Sequence, residues 1–120
     1  MNQIPNQKPN QYDLEERTLK FAQTVIKYIE KLPKTLTNIE VSKQLIRAAG
    51  SVGANYIEAN EALGRKDFIM KIKTCKREAK ESSYWLKLTK FQEVDQERGC
   101  LIQENTELMK IFGSIIEKSK

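Results

Sequence analysis

The sequence predicts an all-α protein, a single domain that folds as an antiparallel up-down-up-down four-helix bundle. Apolar residues recur at spacings of three and four through most of the chain, and no long segment alternates with the period of two that a strand requires. Proline, glycine and polar segments divide this pattern into four parts. Helices joined by short loops pack antiparallel to their neighbours. A chain of 120 residues is long enough for one domain with a workable core.

The four helices are separated by recognisable start and stop signals. The predicted elements are a disordered N-terminal tail at residues 1–11, rich in Asn, Gln and Pro, and helices at about residues 13–32, 38–63, 67–92 and 99–118. The expected helix ends are the N-caps Asp13, Asn38 and Asp67 and the stops Pro33 and Gly64. The polar segment EVDQERG, which ends at Gly99, is predicted to be the turn before the fourth helix.

The second helix carries a line of polar residues beside its apolar stripe. Its members are Arg47, Ser51, Asn55 and Glu58, and the carboxylates that could face it from the third helix are Glu78 and Glu81. Such a cluster could be catalytic, but the chain has no histidine for proton transfer near neutral pH. We favour a buried structural network that fixes helix register. Buried charge must be paired, so Arg47 should have an acidic partner.

Two further groups of residues suggest close helix contact or oligomerisation. They are the line Ile46, Gly50, Gly53 and Ile57 on the second helix, and Tyr84, Trp85 and Leu88 on the flanks of the third. Glycine within a helix costs about 1 kcal/mol relative to alanine, so a pair of glycines suggests that another backbone approaches closely. That backbone could belong to the same chain or to a second copy.

The third helix has the strongest charge asymmetry in the chain. Between Arg65 and Lys90 there are nine basic and three acidic residues, a difference of +6 that exceeds the net charge of +5 of the whole chain. The basic residues expected on one outward face are Lys66, Lys73, Arg77, Lys80 and Lys87. This line could follow a phosphate backbone. A simple solvated face remains an alternative, and no aromatic interleaving is apparent along the line.

Composition excludes several classes of site. The two cysteines, Cys75 and Cys100, lie on different helices without CxxC spacing or a histidine, so we expect no disulfide framework, metal, cofactor or small-molecule substrate. The sequence has no apolar run long enough to span a bilayer and no signal peptide, so we expect no membrane partner and a cytoplasmic location.

Three phrases together resemble a known family. They are DLEERTLKFA at residues 13–22, QLIRAAGSVGANYIEANEA at 44–62 and DFIMKIKTCKREAKESSYWLKL at 67–88. In this order they resemble the four-helix proteins encoded in intervening sequences of bacterial 23S ribosomal RNA genes. The resemblance implies an antiparallel bundle that assembles as a homopentamer. It also implies kinship with basic accessory proteins of diversity-generating retroelements, which bind nucleic acid and a reverse transcriptase. It attaches no catalytic role to the Arg47 line.

These observations predict a non-enzymatic homo-oligomer, with a pentamer favoured, that binds RNA or DNA through the basic face of the third helix. The alternative is a protein-interaction scaffold that presents this helix to an acidic protein such as a polymerase. A third and weaker hypothesis is an enzyme that uses the Arg47 line with Glu78 or Glu81.

Overall fold

The computed structural model describes residues 9–120, and all four predicted helices are present. The elements are α1 at Pro9–Glu30, α2 at Leu36–Asn60, α3 at Arg65–Leu88, a short 3-10 helix at Gln92–Val94, and α4 at Asp95–Ser119. No strand occurs within residues 9–120. The prediction of an all-α four-helix bundle in a single domain is confirmed. Residues 1–8 of the predicted tail lie outside the described residues.

Each helix packs mainly against its neighbours in sequence. The α2–α3 contact is the most extensive, followed by α3–α4 and α1–α2, and α1 and α4 close the bundle with a looser contact. All four helices contribute an apolar stripe to one continuous core. Its largest fully buried members include Phe21, Tyr28, Leu45, Ile72, Leu86, Leu108 and Phe112. The rings of Tyr56 and Phe112, whose centroids are 6.2 Å apart, join α2 to α4 across this core.

The first two helices begin earlier than their predicted caps. The helix α1 begins at Pro9 and not at Asp13, because proline fits the first turn of a helix, where its missing N–H has no intrahelical partner. The helix α2 begins at Leu36, because Thr35 is its N-cap and accepts a hydrogen bond at Oγ1 from the backbone N–H of Asn38 at 3.1 Å. The prediction that Asn38 is the N-cap is therefore wrong.

The residues expected to end α2 and to cap α3 occupy different positions in these helices. Gly64 stands at the N-cap position of α3 in an extended conformation, and α2 has already ended at Asn60. Asp67 lies in the first turn of α3, where a carboxylate is favourable beside the positive end of the helix dipole.

The polar segment before the fourth helix is largely helical. The helix α3 ends at Leu88 and not near residue 92, and α4 begins at Asp95, four residues before Gly99. Buried Val94 anchors the start of α4 to the core. Arg98 then pairs with Asp95 and donates from Nη1 to the carbonyl oxygen of Thr89 at 2.9 Å. The polar segment, predicted to be a turn, is helical because Asp95 and Arg98 pair one turn apart in α4 and Val94 is buried in the core.

Asn38 joins two loops at one end of the bundle. Its buried side chain donates from Nδ2 to the carbonyl oxygens of Pro33 and Lys90, each at 3.1 Å, and accepts at Oδ1 from the backbone N–H of Lys90 at 3.0 Å. These bonds satisfy backbone groups of the chain after α3 that no helix can satisfy. Asn38 therefore fixes the α1–α2 loop against the α3–α4 connection.

Replacement of Asn38 should destabilise the fold, because its buried side chain joins two loops. We expect Asn38→Ala to lower the free energy of unfolding by about 2 kcal/mol, since it leaves backbone groups of Pro33 and Lys90 without their partner. The measurement is urea unfolding at a fixed protein concentration. Thr37→Ala, at the adjacent exposed position, is the control and should change stability by less than about 0.5 kcal/mol. Equal midpoints for the two variants would contradict this role for Asn38.

Candidate nucleic-acid interface

The five basic residues predicted to share a face of α3 are all exposed. Lys66, Lys73, Arg77, Lys80 and Lys87 follow one another at spacings of 7, 4, 3 and 7. Because these spacings are close to whole numbers of helical turns, the residues form one line, here called the basic line. At 1.5 Å per residue it extends over about 31 Å. The opposite face of α3, with Ile72, Cys75, Ala79 and Leu86, is buried in the core.

The charges of the basic line are largely unpaired within residues 14–120. Arg77 makes the one ion pair found for it there, a distant contact of 3.9 Å with Glu78, whose carboxylate lies closer to Arg47 at 3.6 Å. Lys71, on the side of α3 that faces α2, behaves differently. Its Nζ donates to Glu58 at 2.8 Å, and this hydrogen bond, followed by the Coulombic attraction of Glu58, raises the pKa of Lys71. Basic side chains on α3 thus divide into paired and unpaired groups.

Tyr84, interpreted from the sequence as a flank residue available for an oligomer contact, lies within the basic line. The residue is four positions after Lys80 and three before Lys87, and its side chain is 58% exposed. Its ring makes an edge contact with Trp85, with centroids 5.0 Å apart and planes at 73°. The signal was present in the sequence, because Tyr84 follows Lys66 by 18 residues, or five helical turns. The assumption that the line has no aromatic residue is therefore wrong.

Trp85 and Leu88 occupy different environments from Tyr84. Trp85 is half-buried and packs against the core. Leu88, at the end of α3, is 38% exposed. Of the three residues predicted to be available for an oligomer contact, Tyr84 and Leu88 are accessible, whereas Trp85 contributes mainly to its own bundle.

The polar line of α2 forms separate pairs and no continuous buried network. Arg47 contacts both Glu78 and Glu81 of α3, as its expected need for an acidic partner predicts. Its side chain is nevertheless 51% exposed, which differs from the buried position expected. Asn55 donates to the carbonyl oxygen of Ser51 at 2.8 Å within α2. The Arg47 pairs and the Lys71–Glu58 pair join α2 to α3, whereas the Asn55 bond lies within α2, and these contacts do not converge on a reaction site.

The buried position of the Glu78 carboxylate explains why a cation such as Arg47 is needed beside it. The Glu78 side chain is only 13% exposed, and its Oε1 is buried without a hydrogen bond in the described residues. A carboxylate in such a position is costly unless a cation lies nearby. Arg47 supplies that charge at 3.6 Å, and Arg77 of the basic line is a more distant neighbour of the same carboxylate at 3.9 Å.

The two glycines of α2 have different surroundings. A Cβ on Gly53 would lie 3.0 Å from Oγ1 and 3.3 Å from Cβ of Thr18, so Gly53 permits the close approach of α1. A Cβ on Gly50 would have nothing within 4 Å. Gly50 is flanked by Ile46 and Ile57, which are 45% and 52% exposed. The internal contact therefore involves Gly53, and Gly50 belongs to an exposed surface.

Exposed apolar residues of α1 and α2 extend this surface. We call it the α1–α2 apolar face, and it comprises Leu19, Ile26, Ile39, Ile46, Gly50 and Ile57. The α2 members Ile39, Ile46, Gly50 and Ile57 follow one line of the helix at spacings of 7, 4 and 7. Apolar residues grouped in this way are typical of interaction sites, whereas isolated exposed apolar residues are common on any protein.

Alanine at the two glycine positions should have opposite effects on stability. Gly53→Ala gains helix propensity but forces a methyl group against Thr18, whose hydroxyl is fixed by a 2.7 Å hydrogen bond to the carbonyl oxygen of Leu14. We expect it to lower the free energy of unfolding by about 1 kcal/mol or more. Gly50→Ala is the matched variant and should raise it by about 1 kcal/mol. Urea unfolding checks both, and a Gly53→Ala protein as stable as Gly50→Ala would contradict this packing.

The Cys75 thiol lies in the core of the bundle. Burial raises the pKa of the Cys75 thiol to about 12, so Cys75 is protonated near neutral pH and is a poor nucleophile. Within residues 14–120 no group of three or more potential Cys, Asp or Glu ligands is placed to hold a metal ion. The groove between α1 and α4 has an apolar floor at Phe21, Tyr28 and Leu101.

No helix of the described region has the length and apolar character needed to cross a bilayer.

Comparison with known proteins identifies a family to which this sequence and its fold are similar. Residues 10–114 match the model of the family described as 23S rRNA-intervening sequence protein. A solved structure from Bacteroides thetaiotaomicron VPI-5482, described as a protein with unknown function from the S23 ribosomal protein family, is similar at 30% identity and a TM-score of 0.72. The similarity covers 89% of this chain and 97% of that one. No curated protein matched the sequence.

Proposed function

The chain belongs to the 23S rRNA-intervening sequence protein family, and on that premise we propose that it is a non-enzymatic homo-oligomer that binds RNA or other nucleic acid. The basic line of α3 is the proposed contact surface. The observation that carries this proposal is the set of exposed basic side chains, most of which have no ion pair within residues 14–120.

Electrostatics favours a polyanion as the partner. Several charges along one helix, held in fixed order over about 31 Å, match a partner that carries repeated negative charge. Each phosphate that a lysine or arginine neutralises releases condensed counterions, which drives binding without reading the base sequence. Because four of the five residues are lysines, which act as point charges, we propose binding with little sequence preference.

The α1–α2 apolar face supports the oligomeric part of the proposal. This face and the basic line lie on different helices, so a second copy could cover the first surface and leave the second open. A pentamer is the assembly that the family resemblance implies. Repetition of the basic line around such a ring would strengthen binding to one polymer, because the later contacts are intramolecular.

Reversal of charge within the basic line should abolish RNA binding. We expect the triple variant Lys73→Glu, Arg77→Glu and Lys80→Glu to lose binding to a fluorescein-labelled single-stranded RNA, measured by fluorescence anisotropy. The three residues are exposed and project away from the core, so helical content and oligomer mass should not change.

A charge-matched control separates the location of charge from its amount. Lys20→Glu, Lys34→Glu and Lys110→Glu change the net charge equally at exposed positions outside α3 and should retain binding. Unchanged affinity of the α3 variant, or equal loss in both variants, would refute the site. If protein purified without nuclease shows no ultraviolet absorbance from nucleic acid and binds no RNA, the scaffold function with an acidic protein partner would replace this proposal.

A further inference from the structure

We propose that Tyr84 is a base-stacking residue within the basic line and that the nucleic acid bound there is single-stranded. This inference rests on the proposed function and specifies the class of ligand. It concerns the one aromatic side chain of α3 that is mostly exposed, at 58%.

The position of Tyr84 places an aromatic ring between cations. Lys80 lies one turn before Tyr84, Lys87 lies one turn after it, and Arg77 lies two turns before it on the same face. A polymer that followed the basic line would therefore pass over the ring. A base of that polymer could reach the ring while phosphates on either side remained near the cations.

The ring is supported but not covered by its own chain. Trp85 contacts it edge-on at a centroid distance of 5.0 Å, and Trp85 itself packs against the core. An aromatic ring has two faces, and a single T-shaped neighbour covers at most one of them, which leaves the other available for another planar group. The contact with Trp85 therefore leaves most of the Tyr84 side chain open to a ligand.

Stacking on an aromatic side chain selects unpaired bases. The faces of bases within a duplex are covered by their neighbours, whereas a single strand can place a base on an aromatic ring. Proteins that bind single strands without sequence preference combine a positively charged track with such rings. The basic line with Tyr84 has both features on one helix.

The experiment compares a short labelled oligouridylate with an abasic ribose-phosphate polymer of the same length and charge. We expect wild-type protein to bind the oligouridylate more tightly. Tyr84→Leu should weaken that binding roughly 5- to 150-fold, the effect of removing one stacked base, and should leave binding to the abasic polymer unchanged. Tyr84→Phe retains an aromatic ring and should bind as the wild type does.

Met70→Ala is the matched control. Met70 is 56% exposed and lies on α3 between Lys66 and Lys73, but it has no aromatic ring, so this substitution should not alter either affinity. If wild-type protein binds both polymers equally, or if Tyr84→Leu keeps full affinity for the oligouridylate, the stacking role is overturned. A change in oligomer mass with Tyr84→Leu would overturn it in favour of a subunit contact. Failure of wild-type protein to bind either polymer would instead refute the proposed function itself.

Discussion

The largely buried carboxylate of Glu78 requires a cation beside it, and this pairing places one side of α3 against α2. Glu78 is 13% exposed and depends on Arg47 of α2, while Lys71 is paired with Glu58 of α2. These pairs occupy the side of α3 that faces α2 and join the two helices. The basic residues that project outward have no comparable set of carboxylates within residues 14–120. The same helix can therefore stabilise the bundle through one side and present unpaired positive charge on another.

The fold also separates two kinds of surface. Gly53 allows α1 to approach α2 closely, because a side chain there would meet Thr18. The same pair of helices leaves Ile46 and Ile57 exposed beside Gly50, whereas α3 carries the basic line. An assembly through the α1–α2 apolar face would bury apolar surface that water solvates poorly and would leave α3 accessible. Assembly and binding would then depend on different helices and could be altered separately by substitution.

The sequence predicted the bundle well because helical periodicity is a local property repeated over many turns. It also predicted that Arg47 needs an acidic partner. Helix ends were predicted less well, because Thr35 and Asn38 compete for the same cap and Asn38 has distant partners at Lys90. The exposure of Arg47 and the different surroundings of Gly50 and Gly53 depend on the packing of neighbouring helices, which periodicity does not specify. Tyr84 could have been found from spacing alone, but its bulk and apolar character suggested a subunit contact.

The central claim is that an oligomer of this chain carries RNA or another nucleic acid on its outward-facing basic surface. Native mass spectrometry of protein purified without nuclease tests this claim most directly, because it measures subunit number and bound polymer together. We expect a homo-oligomer, with five subunits favoured, whose excess mass disappears after nuclease treatment while the protein assembly remains. A monomer free of nucleic acid would contradict both parts of the claim.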